Sequence, residues 1–544
     1  MSSTVFRAGM FFNRFLPHVL WACVLMSAGM ARAQGDTGRF DIYEFVVVGN
    51  TALADEIIER AVYPHLGPDR TANDVNAAAT ALEKAYQDAG YMTVAVGIPE
   101  QSTASGVITL EVTEGRVERM RVTGAEYTLP SRVREATPSL AEGSVPNFAD
   151  VQEELGRVGR NADLRVTPLL QPGRVPGSVN VELRLEDKSP LHGSLELNNK
   201  RSADTDAGRL EASIRYDNLW QRRHSIGLTY FSSPRNRDEV EVFGLNYAAP
   251  LGPGILAAFY ARSNSNIPTQ FDTASLGRGD TYGARYVLPL PDRNRGFFHS
   301  ISFGLDYKDN DQDTVGIAGT SFSISQPVRY WVMSAQYGLT LPFESGARLR
   351  FGATAAAGST AMNERYIDCN GFRVEQFACR RDGATPGFFV GRFELEGRYP
   401  MGGGWVASAR GDLQRANQPL INSEQFSAGG SDSVRGYLES ERLGDEGERV
   451  RLELATPGRL FFDDAIGLAG VLFYDWAGLH IKRAFTGQDS RASLESAGLG
   501  LRLVSPRGLS LHADWAYALR DGATGNGRTR QGDQRLLLKL AYEF

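Results

Sequence analysis

Leu509-Ser510-Leu511-His512-Ala513-Asp514-Trp515-Ala516-Tyr517-Ala518-Leu519 is the stretch that decides the fold. Successive side chains of a strand point to opposite faces. Leu509, Leu511, Ala513, Trp515, Tyr517 and Leu519 therefore share one side, and Ser510, His512, Asp514 and Ala516 the other. One dry face and one face with His and Asp suit a wall between lipid and a wet lumen. Two more segments read the same way. Phe389, Phe393, Leu395 and Tyr399 alternate with Arg392, Glu394, Glu396 and Arg398, and Val450, Leu452 and Leu454 with Arg449, Arg451 and Glu453. A soluble sandwich also alternates, but inward positions this charged would have no dry core to face.

Beyond Pro190 the helical period is absent, and sixteen segments of this kind can be counted. They begin near Leu191, Ala207, His224, Glu239, Gly254, Thr281, Phe297, Val328, Arg348, Gly387, Trp405, Arg449, Ala465, Ala492, Leu509 and Arg535. Links alternate between short turns (Gly252-Pro253, Pro291 to Asn294, Gly402 to Gly404) and long stretches (266–279, 309–326, 361–386, 417–448). Short periplasmic turns and long outer loops are the asymmetry of an outer-membrane barrel. The reading is an all-β transmembrane barrel over 189–544. Its last strand carries Leu536, Leu538, Leu540, Tyr542 and Phe544 on one face. Tyr542 and the terminal Phe544 read as the signal recognised by barrel-assembly machinery, with outer-membrane lipid as the surrounding partner.

Composition narrows the class. The chain has 544 residues, only 42% hydrophobic, and no 18-residue apolar run past its first segment. That argues against a helical membrane protein. A net charge of -6 without a basic block disfavours nucleic acid as a partner. Residues 1–33 read as a signal peptide: Arg7 and Arg14, then an apolar run from Val19 to Met30, then Ala31-Arg32-Ala33, with cleavage expected before Gln34. Cleavage would remove Cys23 and leave Cys369 and Cys379. In an exported protein that pair favours a disulfide bracing an outer loop. A metal pair has no nearby His to complete it, and two free thiols remain the other possibility. No cofactor or metal site is expected.

Between Phe40 and Lys188 the period changes from strand to helix and back, twice. Strand 45–51, a helix near 54–61, a second helix with Val75, Ala79, Leu82 and Tyr86 in phase, and strands 92–98 and 107–112 form one unit. Strand 117–122, helices 131–136 and 148–158, and strands 164–170 and 179–185 form the next. The repeated order, with Val48-Gly49-Asn50, Ala89-Gly90-Tyr91 and Glu111 to Gly115, resembles two polypeptide-transport-associated (POTRA) domains, 40–115 and 116–188. A small open sheet offers an edge on which an extended client adds by main-chain hydrogen bonds.

The long loop 417–448 contains Gly429-Gly430-Ser431-Asp432-Ser433-Val434-Arg435-Gly436-Tyr437. Loops beyond about 12–15 residues are uncommon and usually functional. By the strand count this is the sixth outer loop, and Val434-Arg435-Gly436-Tyr437 there resembles the corresponding loop of the Omp85/two-partner-secretion superfamily. The resemblance implies that the loop folds into the lumen and that Arg435 pairs with an acidic residue of a Phe-x-Asp motif on strand thirteen. Phe473-Tyr474-Asp475 stands there, and alternation turns Phe473 and Asp475 inward.

Two POTRA-like units before a sixteen-stranded barrel make the chain similar to the two-partner-secretion transporters of the haemolysin-activator family. That similarity implies α+β periplasmic domains and a barrel in the bacterial outer membrane. It implies capture of an unfolded exoprotein and its export through the lumen without nucleotide. The alternative is an assembly factor that inserts other barrels. A porin would not need capture domains, and an enzyme should cluster a nucleophile with a base. His512 and Asp514 fit a polar lumen lining better. Members of the family often plug the pore with an N-terminal helix. The short stretch from Gln34 to Arg39 is expected to leave no room for one, so closure would fall to the sixth loop, or the pore would leak.

Overall fold

The structure, a computed structural model, describes residues 38–544 apart from 160–162, 204, 238, 265–278, 291–295, 311–312, 316–322, 370, 462–465 and 524–527. The signal segment, Cys23 and the Pro291 to Asn294 turn lie outside the described residues. The chain divides into two compact units, an N-terminal α/β unit and the barrel.

In the N-terminal unit, β1 (Phe40–Ile42), β2 (Glu44–Val48), α1 (Asp55–Val62), β3 (Gly67–Arg70), α2 (Ala72–Asp88), β4 (Val94–Gly97) and β5 (Val107–Glu114) form the first module. β6 (Arg116–Thr123), α3 (Pro130–Ala136), α4 (Phe148–Val158), β7 (Leu164–Pro172) and β8 (Ser178–Asp187) form the second. Each module has one three-stranded sheet with its last strand in the middle, in the orders β2-β5-β4 and β6-β8-β7. β2 pairs parallel to β5, and β6 to β8. α2 starts at a capping box in which Thr71 and Asp74 satisfy each other's backbone N–H groups. It packs Val75, Ala79, Leu82 and Tyr86 onto the sheet. The added pairing of β1 with β3 has no periodic signal in sequence.

The repeat extends to side-chain detail. Gly49 (φ 90°) directly follows β2, and Gly124 (φ 76°) directly follows β6. A Cβ at either would lie 2.2 Å from the Val112 carbonyl oxygen or 2.3 Å from that of Leu185, so only glycine fits this crossing. A carboxylate then collects the N–H groups that follow. Glu114 accepts from the Thr51 and Ala52 amides (2.6 and 2.8 Å) and pairs with Arg116 (3.0 Å). Asp187 accepts from the amides of Glu126, Tyr127 and Thr128 (2.7–2.9 Å). The modules meet where the Phe148 amide donates to the Gly90 carbonyl (2.9 Å) and Asn147 Nδ2 to that of Ala89 (3.0 Å).

The second unit is a closed antiparallel barrel of sixteen wall strands. The first eight are Leu191–Asn198, Arg209–Leu219, His224–Ser232, Glu241–Leu251, Gly254–Ser263, Gly279–Pro289, Phe298–Asn310 and Val328–Pro342. The others are Arg348–Gly358, Phe389–Pro400, Val406–Ala416, Glu446–Ala455, Ile466–His480, Arg491–Val504, Leu509–Ala518 and Gln534–Glu543. The twelfth is interrupted at Thr456-Pro457-Gly458 and resumes as Arg459–Phe461 on the same neighbour. The outer face is apolar: Leu395, Leu452, Leu472, Leu499 and Leu538 are all exposed. The inner face carries the charges, with cross-strand pairs such as Arg449–Asp412 (2.8 Å).

Burial pushes the Glu114 carboxyl up, and the hydrogen bonds from Thr51 and Ala52 with the Arg116 charge outweigh it, holding the group below the usual glutamate range. A carboxyl depressed in the folded state contributes stability above its unfolded value, near pH 4.3, and loses it as acid titrates the folded form. Glu114→Gln in the full chain should remove this acid dependence and cost about 1–3 kcal/mol locally. The measurement is hydrogen exchange of the Thr51–Leu53 segment, which should quicken at pH 7 in the variant and approach the native rate in acid.

Candidate functional site

The sixth outer loop, 417–445, turns into the barrel between the eleventh and twelfth strands. Its tip is built by two glycines with positive φ, Gly429 (109°) and Gly430 (104°). Through them the Gly430 amide meets the Val434 carbonyl (3.2 Å), and Ser433 returns its amide to Gly430 (3.1 Å). Ala428, Val434 and Tyr437 are buried in one cluster with Ala477 and Leu479 of the thirteenth strand, Leu494 of the fourteenth and Ala518 of the fifteenth.

That seat presents Arg435 to the wall. Its Nε donates to Asp475 Oδ2 (2.6 Å) and Nη2 to Oδ1 (2.7 Å), a two-pronged fork. The Arg435 amide adds a third bond to Asp475 (3.1 Å), and Nη1 donates to Glu453 Oε1 (2.7 Å). The guanidinium lies over the Phe473 ring, 3.5 Å from its centroid. Arg435 is 1% exposed and Asp475 0%. Burying two ions costs several kcal/mol, so the net stabilisation of the pair is small. Removing one partner leaves the other buried, with Glu453 still beside Arg435 and Arg451 3.6 Å from Asp475. The pair thus fixes position more than it adds stability.

The neighbours of Arg435 complete the fit. Gly436 (φ 91°) passes so close to the wall that an added Cβ would stand 3.3 Å from the Ala516 methyl. The Tyr437 hydroxyl lies 2.7 and 2.9 Å from the Arg520 and Glu495 carbonyls. Phe473, Asp475 and Val434-Arg435-Gly436-Tyr437, all singled out in the sequence, are brought together here.

Other anchors carried no local signal. Glu424, on the ascending arm, is buried against Lys308 Nζ of the seventh strand (2.6 Å), the Tyr330 hydroxyl of the eighth (2.8 Å) and Arg392 of the tenth (3.4 Å). Asp432 pairs with Lys200 of the first outer loop (2.7 Å). Glu441 accepts from the amide and hydroxyl of Thr529 in the eighth (2.8 and 2.7 Å). Alternation marks Lys308 and Arg392 as inward, but nothing local marks which loop acid would meet them.

The remaining candidates are spread over the barrel. Cys369 and Cys379 are joined in a disulfide within the fifth outer loop. Tyr542 and Phe544 end the sixteenth strand. Gly193 and Phe544 exchange backbone bonds (3.1 and 3.0 Å), and the Phe544 ring covers the space a Gly193 side chain would fill. Asp514 is paired with Arg502 (2.9 Å) and lies 3.7 Å from Arg435 Nη1, so it lines the lumen at the edge of the Arg435 cluster.

A family model described as haemolysin secretion/activation protein ShlB/FhaC/HecB matches residues 177–503. The chain belongs to this haemolysin secretion/activation family. A POTRA domain model of ShlB type matches residues 40–115. The outer membrane transporter CdiB of Escherichia coli is 26% identical over 439 residues, 76% of this chain and 69% of that protein. The CdiB of Dickeya dadantii is 25% identical over 388 residues, 68% and 64% of the two chains. In fold the chain is similar to solved CdiB from Escherichia coli (TM-score 0.62, 18% identity, 96% and 93% covered). It is also similar to BamA from Haemophilus ducreyi lacking POTRA domains 1–3 (TM-score 0.50, 15% identity, 93% and 100% covered). As a member of the haemolysin secretion/activation family, the chain is a two-partner-secretion transporter of the bacterial outer membrane, with its POTRA region in the periplasm.

Arg435→Lys keeps the charge but loses the fork, and Gly436→Val collides with Ala516. Both should leave the barrel closed while releasing the loop tip. The expected result is unchanged heat-resistant migration in gel electrophoresis together with new protease cleavage between residues 429 and 441.

Proposed function

We propose that this transporter captures one unfolded exoprotein on its N-terminal modules and passes it through the barrel lumen to the cell surface or medium, without hydrolysing nucleotide. The observation that carries the reading is the buried Arg435–Asp475 fork, which commits the sixth loop to a fixed seat inside the barrel. Capture is supported by the sheet orders, which leave β2 and β4 at the edges of the first module and β6 and β7 at those of the second. An extended segment adds to such an edge through main-chain bonds, with little demand on its side chains. On this reading 40–115 and 116–188 are the capture domains, 189–544 is the conduit and 1–33 the export signal. Tyr542 and Phe544 present the strand that barrel-assembly machinery receives, and lipid contacts the apolar outer wall. Folding of the exoprotein outside the cell supplies the pull.

The test compares surface and supernatant proteins of native cells with those of cells carrying Arg435→Ala at equal barrel levels. Loss of one large protein, with other barrels unchanged, is the expected outcome. A joint fall of many outer-membrane proteins would instead assign the chain to barrel assembly and overturn the exporter reading.

A further inference from the structure

The fifth outer loop, 359–388, also folds inward. It contains a hairpin of Tyr366–Cys369 with Phe372–Glu375, then the short helix Gln376–Arg380, closed on each other by the Cys369–Cys379 disulfide. The helix places Phe377 against Tyr330 of the eighth strand (ring centroids 5.3 Å apart), and Phe388 covers the same ring (6.2 Å). Leu420 and Ile421 of the sixth loop are buried in this cluster too. The two loops therefore share one apolar core, away from the loop-six tip.

At the end of that helix, Arg381 makes a second fork, onto a buried carboxylate. Both terminal nitrogens donate to the carboxylate of Asp445, Nη2 at 2.7 Å, and Asp445 is 0% exposed. Arg381 also donates to the Leu420 carbonyl (2.5 Å) and, in the seventh loop, to that of Lys482 (3.1 Å). Asp445 in turn accepts from the amides of Leu420 (2.9 Å) and Lys482 (2.7 Å). Leu420 and Asp445 are the two feet of the sixth loop. One ion pair thus clasps both feet to the disulfide-closed loop.

We propose that Arg381 is a positioning residue of the transporter. Through Asp445 the fifth loop holds the base of the sixth, so the two loops form a single outer gate that opens only as a unit. This rests on the lumen being the export route. Arg435 fixes the tip and Arg381 the base, and the disulfide keeps the short helix where it can deliver Arg381. Asp445 is fully buried, so loss of Arg381 leaves its carboxylate without its cation, which suits a clasp.

The test uses the full chain carrying Ser423→Cys. Ser423 is 2% exposed in the sixth loop. With Cys369 and Cys379 paired, the new thiol is the one available for labelling in the processed chain. Adding Arg381→Ala should speed maleimide labelling at position 423 by about tenfold or more and raise single-channel conductance, with heat-resistant migration retained. The conservative Arg381→Lys, which keeps the charge but loses the fork, should fall between native and Arg381→Ala in both readouts. Cys369→Ser with Cys379→Ser should move them in the direction of Arg381→Ala. Native labelling and conductance in folded Arg381→Ala would overturn the proposal. If Arg381→Ala does not fold, the Arg381→Lys and disulfide variants decide in the same way. Neither readout involves an exoprotein, so failure here is separable from failure of the secretion reading.

Discussion

A guanidinium and a carboxylate buried together inside a barrel leave little freedom to anything attached to them. Arg435 reaches Asp475 only if the sixth loop enters the lumen, turns at Gly429 and Gly430, and lays Gly436 flat on the fifteenth strand. Each requirement excludes alternatives. A side chain at 436 meets the wall, and a lysine at 435 loses the two-pronged geometry. Loss of either charge leaves the other buried with a poorer partner, Glu453 for Arg435 or Arg451 for Asp475. The seat is stringent because the interaction is costly unless complete.

The rest of the loop follows from the same rule. Its acids meet cations or N–H donors from well-separated parts of the barrel: Glu424 against strands seven and ten, Asp432 against the first loop, Glu441 against the eighth. The N-terminal modules use a milder form of it. After each positive-φ glycine, one carboxylate, Glu114 or Asp187, satisfies a run of backbone amides, so a short sheet gains a fixed corner.

The barrel was legible because its wall has two solvents. Lipid outside and water inside impose a two-residue period that survives in Leu509 to Leu519 and in Phe389 to Tyr399, and the strand count follows from it. The ends were less so. The twelfth strand begins at Glu446 rather than Arg449, because pairing with the thirteenth continues beyond the alternating stretch. The modules were readable from their change of period, except for β1 and β3, whose three and four residues are too few to show one. The Arg435–Asp475 pair was found through a motif. Arg381–Asp445 joins residues 64 apart across two loops, and the helix that delivers Arg381 has five residues, shorter than any periodic window. Long-range pairing of this kind leaves no trace in local sequence.

The most direct measurement of the central claim is photo-cross-linking from two adjacent positions of the tenth strand. Glu394 faces the lumen with its side chain 58% exposed, and Leu395 faces lipid at 49%. A photoreactive residue at 394, introduced into cells that make the exoprotein, should trap it during export. The same residue at 395 should not, and Arg435→Ala should abolish the adduct at 394. Adducts at 395, or an adduct at 394 indifferent to Arg435, would contradict a lumen route organised by the seated loop.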